Sequence, residues 1–252
     1  MIDLTKLTQL AVEASREAGA EILKIYHSAD FGVEMKSDDS PLTRADKAAH
    51  EVIMQHLKET PYPVLSEEGR DIPYTERKNW TYFWMVDPLD GTKEFIKKNG
   101  EFTVNIALIH RDTPVLGVVY APVLDWMYWG NAQEGSWKQE GQAEARSLQA
   151  PADQTVRSIV ASRSHLSPET QEVIDRYPDA EVISMGSSLK FMLLAEGKAQ
   201  LYPRFAPTME WDTAAAHGVL LPLGYTVKKT DEESPLLYNK ENLLNPWFIC
   251  SS

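Results

Sequence analysis

A chain of 252 residues with 43% hydrophobic and 25% charged side chains can bury a sizeable core, which excludes peptide-scale, disordered and fibrous scaffolds. Its formal net charge of −12 and the lack of any basic tract argue against a nucleic-acid partner, and no apolar run approaches the ~20 residues of a transmembrane segment. The single Cys250 permits neither an internal disulfide nor a thiol-rich zinc site, and the start Met1-Ile2-Asp3-Leu4-Thr5-Lys6 lacks the pattern of an export signal, so a reducing cytoplasm is expected.

From the N-terminus, Leu7, Leu10, Ala11, Ala14, Ala18, Ile22 and Ile25 recur at steps of three and four, which predicts an amphipathic helix with Asp3 as N-cap. The polar loop Lys36-Ser37-Asp38-Asp39-Ser40-Pro41 precedes a second helix beginning near Thr43, marked by Ala45, Ala48, Ala49, Val52, Ile53 and Leu57, with Asp46 in its first turn. Val64-Leu65-Ser66 reads as a strand end, so Glu67-Glu68-Gly69 lies where the chain leaves the sheet. Residues 82–86 read as a buried strand ending at the turn Asp87-Pro88-Leu89-Asp90-Gly91-Thr92. Residues 104–109 and 115–120, joined by Arg111-Asp112-Thr113-Pro114, predict an antiparallel hairpin, and 126–129 adds a third strand. Trp126, Tyr128 and Trp129 have the spacing of a sheet face and are assigned no function.

After a polar stretch at 139–151, strands at 158–161, 182–183 and 201–203 alternate with helices after Ser167-Pro168, from Ser188 to Glu196 and from Asp212 to Leu221. Gly197 and Gly224 close the last two helices. The expected fold class is therefore α+β for residues 1–150, helices on an antiparallel sheet, and α/β for residues 151–252. Without a linker or internal repeat the halves should pack as one compact unit, with a cleft between them that suits a ligand.

The turn at 87–92 carries the chemistry. Pro88 fixes its own φ and Gly91 permits geometry that other residues resist, so the turn itself holds Asp87 and Asp90. Hard divalent cations such as Mg²⁺ take carboxylate oxygens and backbone carbonyls such as that of Leu89. Taken singly, each position has a plainer reading: D-P and D-G pairs form solvated turns, helix starts favour acids such as Asp46 and Asp212, and Glu67 fits an ordinary loop. Their conjunction at element ends is harder to dismiss, because carboxylates meeting in one cleft repel unless cations neutralise them. No His takes part, which favours Mg²⁺ over zinc. A pair of hard cations about 4 Å apart is a standard device for displacement at phosphorus.

Glu67-Glu68, the 87–92 hexapeptide and Trp211-Asp212, in this order and spacing, resemble the signatures of the inositol monophosphatase superfamily of lithium-sensitive, Mg²⁺-dependent phosphatases. The resemblance spans most of the chain. Within that superfamily the chain is most similar to the bacterial 3'(2'),5'-bisphosphate nucleotidases, through Asp90-Gly91-Thr92-Lys93-Glu94-Phe95-Ile96, Asn99-Gly100-Glu101-Phe102-Thr103-Val104-Asn105, Gly186-Ser187-Ser188-Leu189-Lys190-Phe191 and Leu201-Tyr202-Pro203-Arg204. The resemblance implies a layered α/β/α/β sandwich of the sugar-phosphatase type. It implies two or three Mg²⁺ ions on Glu67, Asp87, the Leu89 carbonyl, Asp90 and Asp212, with Glu68 behind them and a water oriented by Asp46 and Thr92. Substrate contacts are implied at Glu67, Leu89, Asp90, Gly91, Thr92, Ser162, His165, Ser187, Lys190 and Asp212, with Lys190 on the phosphate that is retained.

The activity so implied is hydrolysis of adenosine 3',5'-bisphosphate (PAP) to AMP and phosphate, with its sulfated relative PAPS as a second candidate substrate and a link to sulfate assimilation. An inositol phosphatase or another small phosphomonoesterase is the alternative enzyme; a non-catalytic nucleotide-binding sensor is the alternative of another class. The helix starting near Ser188 would aim free N–H groups at an anion, although Ser187 or Ser188 also reads as a plain cap and Lys190 as a solvated first-turn charge. Arg204 fits a phosphate contact or a surface ion pair. Peripheral association with the inner face of the cell membrane is left open, and oligomeric state has no signature in the sequence.

Overall fold

The computed structural model describes residues 2–28, 32, 34–35, 41–161, 166–232 and 234–252. The loop 36–40 and the candidate contacts Ser162 and His165 lie outside the described residues.

Helix α1 (Leu4–Tyr26) starts where the Asp3 side chain accepts the Lys6 N–H, and its stripe of Ala11, Ala14, Ala18 and Ile22 is fully buried. After the short pair β1 (Glu34–Met35) and β2 (Pro41–Leu42), helix α2 (Arg44–Leu57) opens on a capping box between Thr43 and Asp46. Then come β3 (Val64–Ser66), α3 (Tyr74–Arg77), β4 (Tyr82–Asp90) and α4 (Thr92–Ile96). Strands β5 (Thr103–His110), β6 (Thr113–Ala121), β7 (Trp126–Asn131), β8 (Gly135–Glu140) and β9 (Arg146–Ser147) form a meander. The remainder holds β10 (Ser158–Val160), α5 (Pro168–Asp175), β11 (Glu181–Ile183), α6 (Leu189–Ala195) and β12 (Leu201–Arg204). It ends with α7 (Glu210–Leu220), a 3₁₀ turn (Leu221–Leu223), β13 (Thr226–Lys229) and β14 (Phe248–Ser251).

Seven strands in the order β3-β4-β5-β6-β7-β8-β9 make one sheet, and five in the order β11-β10-β12-β14-β13 make another. The larger sheet departs from the expected all-antiparallel one at its edge, where β3 runs parallel to β4. The long crossover between them, which contains α3, is what a parallel pair requires. The predicted hairpin is present as β5 and β6, with Pro114 inside β6 opposite Ile109, where the register shifts, a place in a sheet that tolerates proline. The polar stretch at 139–151 contains the end of β8 and all of β9.

Alternation along the strands builds the layers. Trp84, Val86, Val104, Ile106 and Val118 face α1 and α2, while Phe83, Met85, Ala107, Ile109 and Val119 face α6 and α7. The second sheet covers those two helices from the far side with Tyr202, Val227, Phe248 and Cys250, and α5 packs outside it on Ile159 and Leu201 through Val173. The order α1/α2, large sheet, α6/α7, small sheet is the expected layering, with α5 as a further outer helix. Among the described residues, no helix is long and apolar enough to cross a membrane.

Helix α7 belongs to the expected second half in sequence yet lies on the large sheet, in contact with β4, β5, β6 and β7. Gly117 of β6 makes that approach possible. A Cβ there would stand 1.9 Å from the Ala215 carbonyl oxygen and 3.0 Å from the Val219 nitrogen, both backbone atoms of α7. The helix therefore rests flush on the strand, and its N-terminal turn is carried to the end of β4.

Candidate active site

Strand β4 does not stop at Val86, as the sequence suggests, but runs through Asp90: Asp87 pairs with Asn105 and Asp90 with Thr103, with the register broken between them. Pro88 sits in that break. The irregularity sends both aspartates into one cavity, a common use of bulged strands beside active sites. Asp87 accepts the Leu89 N–H at 3.0 Å, which holds its carboxylate against the strand. Gly91, at φ 95°, then turns the chain sharply into α4, a conformation that L side chains resist.

Asp212 arrives from the other half of the chain. It is the third residue of α7, where its carboxylate accepts the Met209 N–H at 2.8 Å and closes the helix start. Ligand atoms of Asp87, Asp90 and Asp212 lie within 4.8 Å of one another. Glu67, at the end of β3, is held by its N–H on the Val86 carbonyl and hydrogen-bonds Asp87 through its side chain. Burial pushes the Asp87 carboxyl well above its ordinary range, and the charges of Glu67, Asp90 and Asp212 push it further. Asp212 is raised for the same reasons, burial first and then Asp90, with Arg204 opposing. Oxygen donors that repel one another in a buried place are the donor set of a hard divalent cation; Leu89 lines the same cavity, with its carbonyl 3.4 Å from the Thr92 hydroxyl. Glu67, Asp87, Leu89, Asp90, Thr92 and Asp212 all line this space of about 370 Å³.

Asp46 is buried at the start of α2, where its Oδ2 accepts the Thr43 N–H at 2.8 Å and the Thr43 hydroxyl at 2.5 Å. Its Oδ1 faces the Thr92 hydroxyl at 3.3 Å. The structure thus joins the two residues expected to orient water. Glu68 lies near His50, whose Nδ1 is 2.9 Å from the Ser66 hydroxyl, and its charge opposes the burial that lowers the His50 pKa.

A second cavity of about 330 Å³ shares Asp90, Gly91 and Asp212 with the first and holds Ser187, Lys190 and Arg204. Lys93 and Lys97 line it as well, so four cations and the acids Asp90, Glu94 and Asp212 share its walls. Burial pulls the Lys190 pKa down, Asp90 pulls it back, and the neighbouring Arg204 lowers it again. Lys190 Nζ donates to the Ser187 carbonyl at 3.2 Å. Arg204 donates to the Pro207 carbonyl at 3.3 Å, while its buried Nε has no hydrogen-bond partner among the described residues. A donor of that kind costs free energy until an acceptor fills it.

Ser187 and Ser188 take an orientation the sequence does not suggest. The Ser187 hydroxyl and the Ser188 N–H both donate to Asp90 Oδ2 at 2.7 Å, so the start of α6 is turned to a protein carboxylate. Asn105 joins the same network, 2.9 Å from Ser188 Oγ. Its signal was available: Asn105 is a fully polar side chain inside the apolar run of β5, where a buried amide needs a partner. Gly117 carries no such signal.

A family model for the inositol monophosphatase family matches residues 3–247. The 3'(2'),5'-bisphosphate nucleotidase CysQ of Salmonella typhimurium is 48% identical over 253 residues, covering 97% of this chain and 98% of the relative. CysQ of Escherichia coli (strain K12) is 49% identical over 258 residues, with 98% and 99% covered. Among solved structures, CysQ from Bacteroides thetaiotaomicron, a bacterial member of the inositol monophosphatase family, has a TM-score of 0.88 at 46% identity, over 98% of this chain and 97% of that one. The chain belongs to the inositol monophosphatase family.

Proposed function

We propose that this chain is a Mg²⁺-dependent 3'(2'),5'-bisphosphate nucleotidase that hydrolyses PAP to AMP and inorganic phosphate. The observation that carries the reading is the adjacency of two kinds of site: the Asp87/Asp90/Asp212 cluster opens on the cavity that holds Lys190 and Arg204. A substrate with one phosphate to lose and another to keep matches that division, and CysQ relatives share nearly the whole chain.

Glu67, Asp87, the Leu89 carbonyl, Asp90 and Asp212 would hold two or three Mg²⁺ ions. The ions supply charge neutralisation and lower the pKa of water at the site. Thr92 Oγ1 faces the same cavity and passes its own proton toward Asp46 Oδ1, which leaves an oxygen lone pair to orient and deprotonate an attacking water. Attack at the 3'-phosphorus forms one P–O bond and breaks the bond to the ribose 3'-oxygen, giving phosphate and AMP. Lys190 and Arg204 hold the 5'-phosphate that is retained. In this scheme residues 1–150 supply most of the cation site and 151–252 the nucleotide side, with α7 returning Asp212 to the former.

A phosphate-release panel with PAP, PAPS and inositol 1-phosphate tests the assignment. The expected order places PAP first, with Li⁺ inhibition at constant ionic strength. Inositol 1-phosphate as the best substrate would move the chain to the inositol phosphatases, and release from none of the three would favour a binding protein without turnover.

A further inference from the structure

One oxygen of Asp90 is crowded with donors. Its Oδ2 receives the Ser187 hydroxyl at 2.7 Å, the Ser188 N–H at 2.7 Å, the Ser188 hydroxyl at 2.9 Å and the Asn105 amide at 3.4 Å. No described residue donates to Oδ1. A carboxylate held this way has a fixed plane and presents one free oxygen.

The donors are themselves locked. Gly186 N–H donates to Glu101 Oε2 at 2.9 Å, and a Cβ on Gly186 would meet the Glu101 carbonyl oxygen at 2.5 Å, so the approach to the turn is tight. Ser187 stands at φ 53°, a left-handed conformation that a serine adopts only under constraint, and strain of this kind collects at functional sites. With the Ser187 proton on Asp90, the Thr103 hydroxyl is the donor to Ser187 Oγ at 2.5 Å, and its one proton is shared with Asn105 Oδ1 at 3.0 Å. The single proton of the Ser188 hydroxyl is shared between Asp90 and the Asp212 carbonyl, 2.8 Å away, so the same side chain touches two of the clustered acids.

We propose that Ser187 and Ser188 are positioning residues of the cation site, which orient Asp90 and keep its Oδ1 turned to the ion. The proposal rests on reading the acidic cluster as a divalent-cation site. It moves the two serines from the nucleotide to the metal: Lys190 recognises the substrate, and the serines before it set how tightly the cation is held. Partners that orient a ligating carboxylate typically account for 10- to 100-fold in metal affinity.

Mn²⁺ binding to the full chain without substrate, followed by the electron paramagnetic resonance of free Mn²⁺, tests this independently of turnover. Ser187→Ala and Ser187→Gly should each weaken Mn²⁺ binding about tenfold. The glycine variant relaxes the positive φ, so its loss of affinity comes from the missing hydroxyl and not from a disturbed turn. In both, the Mg²⁺ concentration for half-maximal activity should rise about tenfold, while AMP affinity in metal-free buffer stays within about twofold. Wild-type Mn²⁺ affinity in both variants overturns the proposal, as does a loss confined to AMP affinity, which would return Ser187 to the nucleotide. Asp90→Asn separates the premise: full Mn²⁺ binding in that variant overturns the cation-site reading itself.

Discussion

The Thr92 hydroxyl lies 3.3 Å from Asp46 Oδ1, joining the first turn of α4 to the first turn of α2 across 46 residues of sequence. Two functions meet in Asp46, because its other oxygen caps α2 through Thr43. Thr92→Ala should therefore lower kcat on every substrate by about 100-fold, the usual contribution of a placed proton acceptor, with no change in melting temperature. Asp46→Asn should lose similar activity and also about 1 kcal/mol of stability, since an amide oxygen turned to the two Thr43 donors carries no negative charge for the helix N-terminus and leaves an NH₂ group where Oδ1 accepts from Thr92. Steady-state kinetics paired with thermal melts distinguish the two; a Thr92→Ala enzyme at wild-type kcat would remove Thr92 from the reaction.

The mutual repulsion of Asp87, Asp90 and Asp212 gives the cluster a thermal signature. Asp87→Asn keeps an oxygen for the Leu89 N–H and deletes one buried charge, so the metal-free variant should melt at the wild-type temperature or above it. Each kcal/mol relieved is worth about 2–4 °C for a chain of this size. The rise in melting temperature that Mg²⁺ confers on the wild type should disappear, together with turnover. A metal-free Asp87→Asn protein that melts several degrees lower would show Asp87 to be a structural partner rather than a cation ligand.

Legibility followed the strength of the local signal. Helices α1 and α2 were readable because their small apolar residues keep the helical period and Asp3 and Thr43 mark their starts. Strand β13 was not, because Thr226, Lys228 and Lys229 surround the single inward-facing Val227, a run too short and too polar to register. Asp87 and Asp90 were placed on a turn because D-P and D-G normally make one; the neighbouring β5 overrides that preference and keeps them in the sheet. The acids that the fold brings together are the ones the sequence singles out, but the groups that orient Asp90 are not legible there. A sequence shows that Ser187 is a hydroxyl near other functional residues, and only the fold decides that the hydroxyl serves Asp90.

Gly117 supports a stability prediction for the same reason that it escaped notice. Its importance lies wholly in the helix above it, so Gly117→Ala should drive α7 away from β6 and cost at least about 3 kcal/mol in urea unfolding. Gly135 provides the contrast. It has a positive φ of 77° but nothing within 4 Å of a Cβ, so Gly135→Ala should cost only about 1–2 kcal/mol. Equal losses in the two variants would mean that α7 is not held against the sheet through Gly117.

His217, on α7 beyond Asp212, predicts a pH dependence. The ring is fully buried with its Nδ1 3.0 Å from the Tyr238 hydroxyl, and burial pushes its pKa down to about 4. The unfolded chain, with a histidine near 6.5, binds more protons than the folded one between those values, so stability falls as pH drops from 6.5 toward 4. A displacement of this size corresponds to about 3 kcal/mol as an order of magnitude. Melting temperatures of wild type and His217→Asn across pH 7 to 5 should show a steep fall in the first and a shallower one in the second. Parallel curves would place the acid-sensitive group elsewhere.

Lys190 separates recognition from chemistry. Its half-buried ammonium lies near Arg204 and, among the described residues, makes one hydrogen bond, 3.2 Å to the Ser187 carbonyl, so it holds donor capacity in reserve for an anion. Burial lowers its pKa because the charge lacks water, and a phosphate dianion would restore what burial takes away. Lys190→Ala should then reduce kcat/KM for PAP by about 10- to 100-fold, the value of a desolvated charge-assisted hydrogen bond, and reduce it for inositol 1-phosphate by less than about threefold. Thr92→Ala provides the opposite pattern, with both substrates falling together. Lys190→Ala falling equally on both substrates would place Lys190 among the groups that every reaction needs, and the retained phosphate would have to be held by the other cations of that cavity, Arg204, Lys93 and Lys97.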